Sequence, residues 1–126
     1  MNITHTSFLT LPVTDQDRAL RFYVDLLGFE VVVDREMPPG RWLQVAPAGA
    51  QTVFTLAGPG MGDFTPGSAR GIMFVTTDVD ADCDRLRATG VEVSGPERMP
   101  WGRMAGFTDP DGNSLMLITE NETGSF

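Results

Sequence analysis

The chain has 126 residues, of which 41% are hydrophobic and 21% charged, and its formal net charge is -8. That length suits one domain able to bury its own core, and the composition argues against disorder. The acidic balance, with no basic stripe to offset it, excludes nucleic acid as a partner, and no apolar run reaches the roughly 18–20 residues that a membrane-spanning helix needs.

Phe8 to Val13 alternates with a period of two and reads as a strand, with Pro12 near its end or at a sheet edge. Thr14 and Asp15 offer N-cap oxygens to a helix over 17–27, whose apolar residues Leu20, Tyr23, Val24 and Leu27 recur at helical spacing. Gly28 stops it. Strands are predicted over 29–33, 42–45 and 52–56, the last two joined by a turn at 47–50. The glycine- and proline-rich stretch 58–70 reads as a linker. The order then repeats: a strand over 72–75, a helix capped by Thr77 and Asp78 that runs to about Ala88 and is ended by Gly90, and strands over 91–93, 104–107 and 115–118. Asp109 to Asn113 carries strong turn chemistry between the last two.

This is an internal duplication. Asp15 and Asp17 correspond to Asp78 and Asp80 at an offset of 63, as do Pro47 and Gly49 to Pro110 and Gly112. The expected organisation is a single domain over 1–126, made of a first module (1–57), a linker (58–70) and a second module (71–126).

Chemistry-bearing residues are few. All nine basic residues are arginine, which rules out Schiff-base chemistry through lysine, and there is one histidine, His5, and one tyrosine, Tyr23. Cys83 is the sole cysteine, so no intrachain disulfide forms; it reads as a packed, inert thiol. With no leader-like pattern at residues 1–6, a cytoplasmic location is expected. The GPGMG run at Gly58 lacks the lysine and following helix of a phosphate loop.

Three segments in this order carry a resemblance: VTDQDRALRFYVDLLGF (13–29), DVDADCDRLRATGVEV (78–93) and FTDPDGNSLMLI (107–118). They resemble the vicinal oxygen chelate family, which includes glyoxalase I, extradiol dioxygenases and bleomycin-resistance proteins. The resemblance implies an α+β fold of paired βαβββ modules, forming a curved mixed sheet with an open cup and the helices outside. In metal-dependent members four strand positions direct His, Glu or Gln into the cup. Carried over residue by residue, they fall on Phe8, Val53, Gly71 and Met116. None supplies the imidazole or carboxylate that zinc, iron or manganese prefers. No metal and no other cofactor is therefore expected. His5, three residues before Phe8, would face the other side of an extended strand.

Period-two reading places Phe8, Thr10, Pro12, Val53, Thr55, Met73, Val75, Met116 and Ile118 on the cup face. Leu9, Leu11, Phe54, Leu56, Ile72, Phe74, Leu115 and Leu117 then face the helices. The expected ligand contacts are Phe8, Thr10, Val53, Thr55, Met73 and Met116 of the cup. Trp42 and Trp101 are added as stacking walls, Met61 and Phe64 of the linker as a cover, and Arg103 as a polar contact. The bleomycin-resistance branch is nearest in character. It implies a homodimer that sequesters a hydrophobic or aromatic small molecule, neutral or cationic, without converting it. The alternative is an enzyme of the same family: a metal-free isomerase or cyclase with Glu36 or Glu97 as base, or a glyoxalase- or dioxygenase-like member.

Overall fold

The computed structural model describes residues 1–38 and 40–120. They fall into two compact units, Met1–Ala69 with Pro110–Asn113, and Arg70–Asp109 with the chain from Ser114 onward. The turn at 110–113 therefore packs with the first module although its flanking strands belong to the second.

In the first unit β1 (Phe8–Pro12) leads into α1 (Gln16–Leu20), a π-helical turn (Arg21–Leu26), β2 (Glu30–Met37), β3 (Gly40–Ala46) and β4 (Val53–Ala57). The sheet order is β1-β4-β3-β2, with β1 parallel to β4 and the other pairs antiparallel. Asp15 caps α1, its carboxylate accepting from the Arg18 backbone N–H. An α-helix over the whole of 17–27 is expected from spacing alone, but only the first turns are α. The Leu27 N–H reaches back to the Phe22 carbonyl and the Phe29 N–H to Tyr23. The wider turn brings Phe22 to 8% exposure and Tyr23 to 0%, while Leu20, Val24 and Leu27 stay half-buried. Core packing, not helical periodicity, decides that face.

In the second unit β5 (Ile72–Val75) leads into α2 (Val79–Ala88), β6 (Ser94–Met99), β7 (Gly102–Thr108) and β8 (Ser114–Glu120). The order β5-β8-β7-β6 repeats that of the first sheet, with β5 parallel to β8. The chain is thus α+β, with a four-stranded mixed sheet and one helical segment in each described unit. Asp78 caps α2, and Val79, Cys83 and Leu86 form its buried stripe. Burial raises the Cys83 thiol pKa, which keeps it protonated and unreactive.

One predicted strand is misplaced. Among the described residues 91–93 belong to no strand; the Val91 N–H caps α2 at the Leu86 carbonyl, and pairing starts at Ser94. The strand Ser94–Met99 carries a proline and few β-formers, which hides it from a propensity reading. It is tolerated because β6 is an edge strand, and because its register is irregular between Ser94 and Glu97, around Pro96.

Burial follows the predicted alternation for Leu11, Phe54, Leu56, Leu115 and Leu117, all under 9% exposed. Leu9, near the start of β1, departs from it at 45% exposure.

Two arginine–aspartate forks tie helices and strands together. Arg41 binds Asp34 through Nε and Nη2 at 2.8 and 2.9 Å and reaches Asp17 at 2.7 Å. Arg103 binds Asp80 of α2 through Nε and Nη2, both at 2.8 Å. Hydrogen bonds from these arginines hold the Asp34 and Asp80 carboxyls below the ordinary value of 3.8, and the Arg18 backbone N–H does the same for Asp15. Each folded pKa lies below its unfolded one. The stabilisation these carboxylates give is complete above about pH 4 and is lost as pH falls through the folded values. Thermal midpoints measured from about pH 6 downward should hold level to about pH 4 and then decline. A midpoint that stays level well below that pH would contradict the ion-pair assignment.

Candidate ligand-binding site

Each sheet has one face turned from its helix, and the strand registers define which residues share it. In the first unit Phe8 is opposite Val53 and Thr10 opposite Thr55; Gln44 is opposite both Thr55 and Val33, and Trp42 lies opposite Arg35. Phe8 and Trp42 meet edge to face, with centroids 5.6 Å apart and planes at 88°. Phe8 keeps 39% of its surface exposed, so this aromatic pair is open to a partner. Beneath it the Gln44 amide donates to the Thr55 hydroxyl at 3.0 Å. Thr55 is 2% exposed and Gln44 8%, so this pair is a satisfied buried bond in the floor. Gln44 is a polar residue that sequence reasoning missed; its signal is its place two residues after Trp42, on the same side of β3.

In the second unit Met73 is opposite Met116, Gly106 lies between Met116 and Ser94, and Met104 lies between Ile118 and Glu97. Ser94, Glu97, Met99, Met104, Gly106 and Met116 border a cleft of about 170 Å³. Trp101, in the β6–β7 turn, donates its indole N–H to the Met104 sulfur at 2.8 Å.

The predicted contacts thus separate into groups. Phe8, Thr10, Trp42, Val53 and Thr55 share one face of the first sheet; Met73 and Met116 share one face of the second, with Trp101 against Met104. The structure does not bring the others to these faces. Arg103 alternates to the opposite side of β7, beside Ala105 and Phe107, where its guanidinium is engaged by Asp80. Met61 packs at the Gln16 side chain, which ties α1 to the Arg41 and Leu56 carbonyls, so it sits on the helix side of the first sheet. Phe64, 53% exposed, borders a pocket with Pro12, Val13 and Ala57, at the far end of β1 and β4 from Phe8. Both departures have one cause: the linker has no period from which to read direction. Replacing Arg103 with alanine is expected to leave ligand affinity unchanged while lowering the melting temperature slightly. An affinity loss of tenfold or more would return Arg103 to the site.

The residues at the family's metal positions do not fit a metal. Phe8 and Val53 are direct partners. On the second sheet the mapping shifts. Pro12 and Val75 are 63 residues apart, but their ladder partners Ala57 and Ile118 are 61 apart. The register counterpart of Val53 is therefore Ser114, and Met116 lies one step further along the same face. The turn before β8 enters its strand two residues sooner than the turn before β4, which a fixed offset conceals. Phenylalanine, valine, glycine and serine or methionine offer no imidazole or carboxylate. Among the described residues no group of three or more His, Cys, Asp or Glu side chains is placed to hold a metal ion.

Residues 2–117 match the model of the Glyoxalase/Bleomycin resistance protein/Dioxygenase superfamily. The chain belongs to this superfamily. Among solved structures, TnmS3, an antibiotic binding protein from Streptomyces sp. CB03234, is 48% identical with a TM-score of 0.87, over 96% of this chain and 99% of that one. A superfamily member from Sphaerobacter thermophilus is 40% identical with a TM-score of 0.87, over 95% of this chain and 100% of that one. Among curated relatives, the lactoylglutathione lyase of Haemophilus influenzae is 30% identical, over 99% of this chain and 97% of that protein. This superfamily member therefore has relatives of both kinds, a binding protein and an enzyme. Among its described residues no helix is long and apolar enough to cross a membrane.

Proposed function

We propose that this protein binds a hydrophobic or aromatic small molecule of the antibiotic class and holds it unchanged. The observation that carries this reading is its likeness, at 48% identity over nearly the full length, to an antibiotic binding protein. Two features support it. The family's metal positions hold residues with no suitable donor, and each sheet face carries side chains suited to packing against an aromatic ligand, Phe8 and Trp42 in the first unit and Met73 and Met116 in the second. The reading includes a homodimer in the cytoplasm. Exposed Leu9 and Val75 on the edge strands are consistent with a second chain, and sedimentation of the purified protein tests it.

Titration with a panel of aromatic and glycopeptide antibiotics, followed by the fluorescence of Trp42 and Trp101, tests the binding. Saturable quenching with the ligand recovered intact by mass spectrometry is expected. A panel without any binder would overturn the proposal.

A metal-free isomerase or cyclase is the second reading, favoured by Glu97 bordering the second-unit cleft. Glu36, the other carboxylate considered as a base, borders a different cleft beside Arg41. Steady conversion of the bound ligand would select this reading. One transition metal retained per chain on elemental analysis would instead select a glyoxalase- or dioxygenase-like enzyme.

A further inference from the structure

Glycine inside a strand weakens it, and it is kept for its conformation, for a tight approach of backbone, or for the close approach of a ligand. Most glycines of the second unit have the first of these reasons. Gly95 and Gly102 sit at φ +94 and +153, and a Cβ on either would run into backbone. Gly106 has neither of the first two. Its φ is not positive, and a Cβ there would meet only the Leu115 carbonyl oxygen, at 3.8 Å. It lies in mid-strand β7, flanked by Ser94 on β6 and Met116 on β8. The missing side chain leaves a slot in the sheet face, walled by Met104 and Met116, in the cleft of about 170 Å³. A cavity of about 150 Å³ houses a benzene molecule, so this space suits one aromatic ring.

The slot has one charged wall. Glu97 borders it, opposite Met104. Among the described residues Glu97 has no ion-pair partner, although Asp34, Asp80, Asp17 and Asp111 each have an arginine. Arg98 and Arg103 are opposite each other on the adjacent row, and Arg103 is held by Asp80. An unneutralised carboxylate beside a methionine-walled slot complements a ligand that is apolar in one part and cationic in the other.

We propose that Gly106 makes a slot for one ring of a planar aromatic molecule and that Glu97 selects a ligand carrying a protonated nitrogen. This rests on the ligand-binding reading above and adds the class of ligand and the residue that discriminates it. Methionine thioethers pack on the ring faces, Gly106 lets the ring lie against backbone, and the Glu97 carboxylate accepts from an N–H of the cation at the rim.

Proflavine, a planar cationic acridine, and acridone, a neutral tricycle of similar size, are the probes. The unaltered protein should bind proflavine more tightly than acridone, with the preference shrinking as salt is raised. Glu97→Gln should lower proflavine affinity about tenfold, the equivalent of about 1.4 kcal/mol, and leave acridone unchanged. Gly106→Val should remove binding of both while leaving the melting temperature level or higher, and Gly106→Ala should give an intermediate loss. The proposal is overturned if neither probe binds, if Glu97→Gln leaves the proflavine-to-acridone ratio unchanged, or if Gly106→Val binds as the parent does. Where antibiotics of the panel bind and these variants change nothing, the binding function stands and this slot is not its site.

Discussion

Replacing Gly67 with alanine is expected to lower the stability of the first unit by about 2–5 kcal/mol. Gly67 has φ +78, a left-handed conformation that costs an L-residue about 1–2 kcal/mol. A Cβ added there would also overlap the backbone carbonyl of Asp111, with no flexible side chain able to give way. Overpacking of that kind costs about 1–3 kcal/mol more. The Gly67 N–H donates to the Pro12 carbonyl at 3.1 Å, so the loop cannot swing out without breaking that bond. Urea unfolding followed by tryptophan fluorescence measures the effect. A loss under about 1 kcal/mol would mean that the loop does not pack on the turn at 110–113.

The same turn carries the second large effect. Asn113 is completely buried, and its side chain serves two backbone groups that have lost water. Its amide donates to the Pro12 carbonyl at 2.9 Å, and its carbonyl accepts from the Ala69 N–H at 3.0 Å. Asn113→Ala strands the Ala69 N–H and leaves the Pro12 carbonyl with the Gly67 N–H alone. An unsatisfied buried donor costs about 1–3 kcal/mol, and a loss of that size is expected. Asn113→Asp should fare no better, because it keeps the acceptor but removes the donor and buries a charge. Equal stability of the alanine variant and the parent would show that water replaces both bonds. Neighbouring Asp111 reinforces this latch: its carboxylate accepts from the Thr14 N–H and hydroxyl at 3.1 and 2.7 Å and from Arg18 at 3.0 Å.

These two residues show where sequence reading stops. The stretch Asp109 to Asn113 is legible as a turn from its proline, glycine and aspartates. Nothing local says that Asp111 and Asn113 bond to residues near position 12, about a hundred positions earlier. Such bonds depend on tertiary approach, which residue propensity does not encode. Arg103 makes the same point for the site. As a cation beside a tryptophan it suits a ligand contact, yet its strand parity and the position of Asp80 on α2 turn it to the helix side.

The sequence by itself determined the duplicated order of elements, the cap pairs Thr14–Asp15 and Thr77–Asp78, the alternation that separates Phe8 and Val53 from Leu11 and Leu56, and the residue chemistry at the carried-over positions. These follow from periods and residue chemistry, which are local. Only the tertiary structure decided the π-helical turn that buries Phe22, the edge strand around Pro96, and the shift in register that puts Ser114 where a fixed offset names Met116. It also decided that Gly106 stands between Ser94 and Met116 with open space above it. Each of these depends on which strand lies beside which and in what register, and hydrogen-bond pairing and core packing settle that across residues far apart in the chain.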